Sequence, residues 1–233
     1  MSQGNRDGRQ VRWDAHKEER RQQIIDAAIA VVEESTPGTE VHVQQIAARA
    51  GLSRTVIYRH FADRADLDRA VRLRIVEQVW ELLLPRVSLD GTAPEIIERV
   101  VGSYIGWAVA HPALHRLADH DNSGSDGPLE AGLERIASRV SAVIGTALMA
   151  FGAELSEEEA AAIDPFVYGI VGSVFSSVRR WVGRPDPALS AAGLTELVSR
   201  SVWFVIDGHA RTLGVEIDPT RCVEDLLADA MMA

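Results

Sequence analysis

Residues 43–61 read VQQIAARAGLSRTVIYRHF, and the side chains are of the kind that meets a nucleic acid. If Ile46, Ala47, Leu52, Val56, Ile57 and Phe61 turn inward on two short helices, then Gln44, Gln45, Arg54, Thr55, Tyr58, Arg59 and His60 turn outward. Arg, Gln and Thr can read base edges. Tyr, His and Arg can hydrogen-bond phosphate oxygens. No Asp or Glu lies between Val41 and Ala62, so nothing in the segment repels a polyanion.

A second constellation, His111, His115 and Asp119, has i, i+4, i+8 spacing, which could line one helix face and hold a zinc-type metal; His120 and Asp121 are adjacent. His111 directly precedes Pro112, however, which places it at a cap outside the helix. A metal-dependent enzyme built on these three residues is the rival reading, and it is the weaker one. The chain has no GxSxG elbow, no GxGxxG and no GxxxxGK, and its one cysteine, Cys222, lies near no histidine in sequence. No cofactor, no resident metal and no catalytic residue are expected.

The elements that must position the first constellation are helical. Apolar residues recur at helical spacing almost everywhere, and residues 41–43 are too short an alternating run to count as a strand. A first helix is expected over residues 17–34, with Ile24, Ala27, Ala28, Val31 and Val32 on one face, ending at Ser35–Gly38. A short helix follows over 43–50, with Gly51 as its left-handed stop. Ser53 caps a third of about eight residues, ending near Phe61. Asp63, with Asp66 three residues on, opens a long helix over 64–84 that stops before Pro85. Further helices are expected at 94–110, 112–118, 129–152, 157–182 (kinked or split by Pro165), 190–213 and 221–231. Residues 122–128 (NSGSDGP) and 183–187 read as a loop and a turn. The fold class is all-α. Residues 1–16 form a flexible arm, 17–64 a three-helix head with a helix-turn-helix, and 65–233 a larger helical body, joined through the helix at 64–84.

The residues 24–28 (IIDAA) and 46–67 (IAARAGLSRTVIYRHFADRADL) resemble the DNA-binding head of the TetR family of bacterial transcriptional regulators. Ala-Gly-x-Ser followed by Tyr-x-His-Phe, with a basic residue three positions later, is a specific pattern. It covers about fifty residues, and the remainder corresponds by helix count and length. The resemblance implies that Ser53, Arg54 and Thr55 begin the reading helix and that Tyr58 and His60 clamp phosphates. Arg64 stands where the family usually has lysine. His42 stands where the family often has a threonine that caps the second helix and meets a phosphate. Gln44 and Arg59 complete the expected DNA-facing set. Arg6, Arg9, Arg12 and Lys17 could add contacts from the arm.

The resemblance also implies a ligand-binding and dimerising body. The segments 157–182 and 190–213 would form an intersubunit four-helix bundle. Gly169, Gly172, Ser173, Ser176 and Ser177 leave room there, and Phe175, Val178, Trp181, Val202 and Val205 supply apolar area. A pocket is expected among Trp80, Leu84, Tyr104, Trp107, Leu114, Met149, Phe166 and Ile170. Its few polar handles suit a small hydrophobic effector: a lipid, an acyl chain or an aromatic. The expected partners are double-stranded operator DNA, that effector and a second copy of the chain. The reading is a dimeric, ligand-released repressor on a palindromic operator, the alternative being a ligand-independent DNA-binding protein.

Composition sets the bounds. The 233 residues, 46% hydrophobic, suffice for a core, and one cysteine excludes a disulfide framework and suggests a reducing cytoplasm. MSQGNRDGRQ shows no secretory h-region, and the near-apolar run 142–153 is too short to span a bilayer, so no membrane partner is expected. The net charge of −10 argues against DNA only when taken whole. Residues 1–74 carry 13 Lys+Arg against 11 Asp+Glu, and the remainder 11 against 23. A +2 head is joined to a −12 body, so DNA attracts one part and repels the other.

Overall fold

The structure, a computed structural model, describes residues 4–35, 39–119, 127–184 and 186–232. Ten α-helices are present among them: α1 (Gly4–Glu34), α2 (Val43–Arg49), α3 (Arg54–His60), α4 (Arg64–Leu83), α5 (Ala93–Ala110), α6 (Pro112–Asp119), α7 (Pro128–Ala150), α8 (Glu157–Val182), α9 (Ala191–Thr212) and α10 (Val223–Met232). A 3₁₀ turn, Leu84–Arg86, follows α4, with Pro85 inside it. The all-α expectation holds; the described residues contain no strand, only an isolated bridge between Thr92 and Cys222. The fold separates into two compact units. The first holds α1 to α3, α4 as far as Val76, and α6 from Ala113; the second holds the rest.

In the first unit α1, α2 and α3 pack on one another. Ile24, Ala27, Ala28 and Val31 of α1 are buried, as are Ile46, Ala47, Ile57 and Phe61; Val32, Leu52 and Val56 are half-buried. Completely burying side chains of this size is worth about 1.5–3 kcal/mol each, which two helices of seven residues need because neither could persist alone. Their ends are set locally. Gly51 adopts φ +67, the Leu52 N–H donates to the Ala47 carbonyl at 2.9 Å, and the Gly51 N–H donates to that of Ala48 at 3.2 Å. This paired closure of the last turn needs a left-handed residue after the cap, so only glycine fits without strain. Ser53 accepts from the Val56 N–H at 3.4 Å and starts α3, as its position implied.

Three expectations about helix ends are corrected. The α1 backbone is helical from Gly4, not from Lys17, because Gln10 to Lys17 are mostly tolerable helix residues despite Gly4 and Gly8. The side chains of the expected arm, Arg6, Arg9 and Arg12, lie outside the described residues. α7 stops at Ala150, and Gly152, at φ +77, is its left-handed terminator instead of its last residue. Pro165 does not split α8, which runs unbroken. The carbonyl that loses its N–H partner is that of Ala161, and both residues are exposed, so water can satisfy it. The turn residues 36–38, the loop residues 122–126 and Pro185 lie outside the described residues.

In the second unit α5 packs on α9 and α8, and α7 on α8 and α10. Leu83, Val101, Tyr104, Ile105, Ala108, Val178, Leu194, Val198 and Val202 form its main core. A smaller cluster gathers Leu148, Ala210 and Val215. Where α5 and α9 cross, the Thr195 methyl comes within 3.3 Å of the position a Cβ would take on Gly102, so a larger residue there would need that methyl to give by a few tenths of an ångström. The Tyr168 hydroxyl of α8 donates to the Glu130 carboxylate of α7, which pushes the phenol up to about 12. Thr92 with Glu95 and Ser156 with Glu159 cap α5 and α8 reciprocally.

Candidate nucleic-acid interface

On α3, Arg54, Thr55, Tyr58 and Arg59 are exposed at i, i+1, i+4 and i+5, opposite the buried Ile57. Gln44 and Gln45 of α2, His42 before it and Ser53 between the helices are also exposed. The Arg54 guanidinium carbon lies 5.6 Å from the Tyr58 ring centroid, a cation–π contact that orders two long side chains on the same face. Arg49, also exposed, is tied to Glu34 of α1 at 3.0 Å. The result is a polar, cationic face to which α2 and α3 themselves contribute no acid.

Three residues of the expected set do something else as well. Gln45 reaches back, its Oε1 accepting from the His42 N–H at 2.7 Å. That contact ties the N-cap residue to the first turn of α2. His60 is half-buried, with its Nδ1 enclosed and unpartnered. Burial, then Lys17, Arg20 and Arg21 of α1, holds its pKa below the ordinary 6.5. One ring nitrogen of the expected phosphate clamp thus faces the protein. Arg64 is half-buried and committed: its Nε donates to both Asp68 oxygens at 2.8 Å and its Nη1 to the Val41 carbonyl at 2.7 Å. Its charge ties the entry of α2 to α4.

The state of His60 has a measurable consequence. Because its folded pKa is lowered, the unfolded chain takes up the proton first as pH falls. This residue carries no penalty above about pH 6.5 and destabilises the fold progressively as pH drops below that value toward the folded pKa. Urea unfolding between pH 7.5 and 5.5 is expected to show a loss of stability that His60→Gln reduces; identical pH profiles would contradict it.

Sequence reasoning missed two residues that hold this face in place. Gln23 of α1 donates to the Ala50 carbonyl at 2.9 Å, and Arg21 donates to the His60 carbonyl at 2.8 Å. The available signal was their position, one residue and three residues ahead of the buried face that begins at Ile24.

The second constellation is divided between the two units, and His111 stands outside α6 as its place before Pro112 implied. His111 caps α5, its ring 5.6 Å from that of Trp107, whereas His115 and Asp119 belong to the first unit. Among the described residues no three His, Cys, Asp or Glu side chains gather in a metal-binding group. His120 and Asp121 lie outside the described residues.

The expected pocket residues scatter. Leu114 is buried in the first unit, Met149 is 66% exposed, and Leu84 is exposed. Trp80 lies under the Arg135 guanidinium at 4.7 Å, and Phe166 lies 4.1 Å from the His209 ring. Only Tyr104, Trp107 and Ile170 gather around the main core of the second unit.

Of the expected dimer contacts, Val178 and Val202 are buried within the protomer, and Phe175 and Trp181 pack half-buried against the same core. Val205 alone is exposed, at 42%. Beside it on α9 stand Leu197, 47% exposed, and Phe204, 63% exposed, which the sequence reading passed over. An open groove of about 270 Å³ runs between α8 and α9, lined by Ile170, Ser173 and Ser177 on one side and Leu197, Ser201 and Val205 on the other. Gly169, Gly172 and Gly208 have open space where a Cβ would stand. By length and composition α8 could cross a membrane, with mean hydropathy 1.4 over its most apolar 18 residues. Only 11% of that window is buried.

Comparison with known proteins adds the family context. A family profile, "Bacterial regulatory proteins, tetR family", matches residues 24–71. The uncharacterized HTH-type transcriptional regulator Rv0472c of Mycobacterium tuberculosis is 30% identical over 203 residues, 87% of this chain and 83% of that one. A tetR-family regulator from Streptomyces coelicolor superimposes with TM-score 0.61 at 23% identity, covering 91% of this chain and 90% of the other. The regulator FadR from Bacillus subtilis, solved with stearoyl-CoA, gives 0.56 at 17% identity over 80% of this chain and 98% of its own.

Proposed function

Because the chain belongs to the TetR family of bacterial transcriptional regulators, a family of DNA-binding proteins, we propose that it acts as a dimeric, effector-released repressor. Arg54 and Thr55 read bases of a palindromic operator, while Tyr58, Arg59, Gln44 and Ser53 hold its phosphates. The observation that carries the reading is the exposed face of α2 and α3, which presents these donors with no acid among them. A fluorescence titration of the protein with duplexes selected from a randomised pool tests it. A selected sequence with two-fold symmetry, bound far better than a shuffled duplex, supports the reading; equal binding to both overturns it.

What α8 and α9 leave uncovered supports dimerisation. Leu197, Phe204 and Val205 form an apolar stripe beside open glycine positions, and a second copy of the same stripe is its natural complement. Two heads on successive major grooves then supply contacts that one short reading helix lacks. α4 runs without a break from the first unit into the second, so it can carry a change in one to the other. The effector releases DNA only by preferring the conformer whose heads are wrongly spaced.

For the effector, Trp107, Tyr104 and Ile170 around the second core favour an acyl chain, and the stearoyl-CoA held by the similarly folded FadR makes a long-chain acyl-CoA the first probe. At a hundredfold excess over its Kd, stearoyl-CoA is expected to stabilise the protein by about 2.7 kcal/mol and to lower operator affinity. Trp107→Ala is expected to keep operator binding and lose the response; an unchanged response removes Trp107 from the effector site.

A further inference from the structure

We propose that Arg21 of α1 is the positioning residue of the DNA reader, setting the pose of α3 and thereby sequence selectivity without touching DNA. The proposal rests on α3 being the base-reading helix. At seven residues α3 is too short to fix its own axis, and its carbonyl end needs partners from elsewhere. One guanidinium supplies them. Arg21 Nη1 donates to the His60 carbonyl at 2.8 Å, its guanidinium carbon lies over the Phe61 ring at 4.2 Å from the centroid, and Nη2 stands 3.8 Å from an Asp66 carboxylate oxygen. The other Asp66 oxygen accepts from the Ala62 N–H at 3.0 Å. The end of α3, the turn after it and the start of α4 are thus bound through a single α1 side chain. Two residues further along α1, Gln23 holds the Ala50 carbonyl at the end of α2 in the same manner.

These three contacts use the fork, the plane and the charge of arginine at once. A lysine keeps the charge and one hydrogen bond but has neither a planar face nor a fork. Arg21 is 30% exposed at its side chain, with its polar edge turned to protein groups. Loss of the clamp frees the His60 end of α3, and tilt about the Ser53 cap moves Arg54, Thr55 and Tyr58 relative to one another's targets. Base contacts depend on that geometry, whereas phosphate attraction at large does not.

The test uses the full chain and three variants, Arg21→Lys, Arg21→Ala and Thr55→Ala. Each is titrated at several salt concentrations against two probes: the duplex the parent protein selects from a randomised pool, and a shuffled duplex of equal composition. For Arg21→Lys, affinity for the selected duplex is expected to fall about tenfold and that for the shuffled duplex by less than about twofold. The dependence of log K on log salt should match the parent, because no phosphate contact has been lost. Equal losses on both probes, with a salt slope reduced by about one, would make Arg21 a phosphate ligand and overturn the proposal. Parental selectivity in both Arg21 variants would also overturn it, leaving the clamp a stability feature only. If Arg21→Ala fails to fold, Arg21→Lys decides. Thr55→Ala separates the two levels: if it too leaves selectivity intact, the reading of α3 falls, whereas if it relaxes selectivity and the Arg21 variants do not, positioning alone fails.

Discussion

Replacing Leu197 and Phe204 together by glutamate is expected to turn the protein into a folded monomer and weaken operator binding by about a hundredfold or more. The two side chains are 47% and 63% exposed in the protomer, so charging them should leave its stability within about 0.5 kcal/mol of the parent. In an apolar interface between two copies the same carboxylates would be buried without partners, at a cost of several kcal/mol per pair. Losing the interface uncouples the two heads, and each must then find its half-site without the high local concentration the other provided. Sedimentation velocity measures the assembly, and anisotropy on the selected duplex measures the affinity. A dimer that persists with parental affinity would sink the assignment of this stripe. Val178→Ala supplies the contrast. It is fully buried inside the protomer, so the change should cost about 2 kcal/mol of stability while the dimer survives.

That contrast shows where sequence is informative and where it is not. The helix-turn-helix was legible because its determinants are local: the Gly51 stop, the Ser53 cap, and the inward spacing of Ile46, Ile57 and Phe61 all act within a few residues. Two long helices with apolar residues on more than one side are a different problem. Val178 and Val202 face the α5 side of the fold, and Leu197, Phe204 and Val205 face away, but each set alone satisfies helical periodicity. Which face meets the protomer's own core depends on contacts distant in sequence, such as the passage of Thr195 over Gly102. The surroundings of His60 and Arg64 were not legible for the same reason. Their helix phase is outward or marginal, but Lys17, Arg20 and Arg21 arrive beside one and Asp68 and Val41 beside the other. The pocket list shows the limit most plainly: aromatic and aliphatic types alone could not separate Trp107, near the core, from Met149, in solvent.

On the DNA-facing surface, Arg54→Ala is expected to cost about 1–3 kcal/mol of operator affinity, and to cost more on the selected sequence than on a shuffled one. Arg54 is the only exposed residue in the first turn of α3 with a guanidinium fork, and that turn is the part of a reading helix that reaches base edges. Thr55→Ala should relax preference at particular bases by a smaller amount. Tyr58→Phe should weaken all sequences alike, by the roughly 1–1.5 kcal/mol of one hydrogen bond to a phosphate. Arg54 and Tyr58 are in contact across 5.6 Å, so their effects should not add. The aromatic face that steadies the guanidinium survives in Tyr58→Phe and is lost in Tyr58→Ala, so Tyr58→Ala alone should also erode base preference. A double-mutant cycle with Arg54→Ala reads this directly: a coupling energy well above 0.5 kcal/mol is expected for Tyr58→Ala, and little for Tyr58→Phe. Variants that all bind like the parent would mean that this face does not meet the operator. Equal coupling for both Tyr58 variants would place the interaction in the hydroxyl and not in the ring.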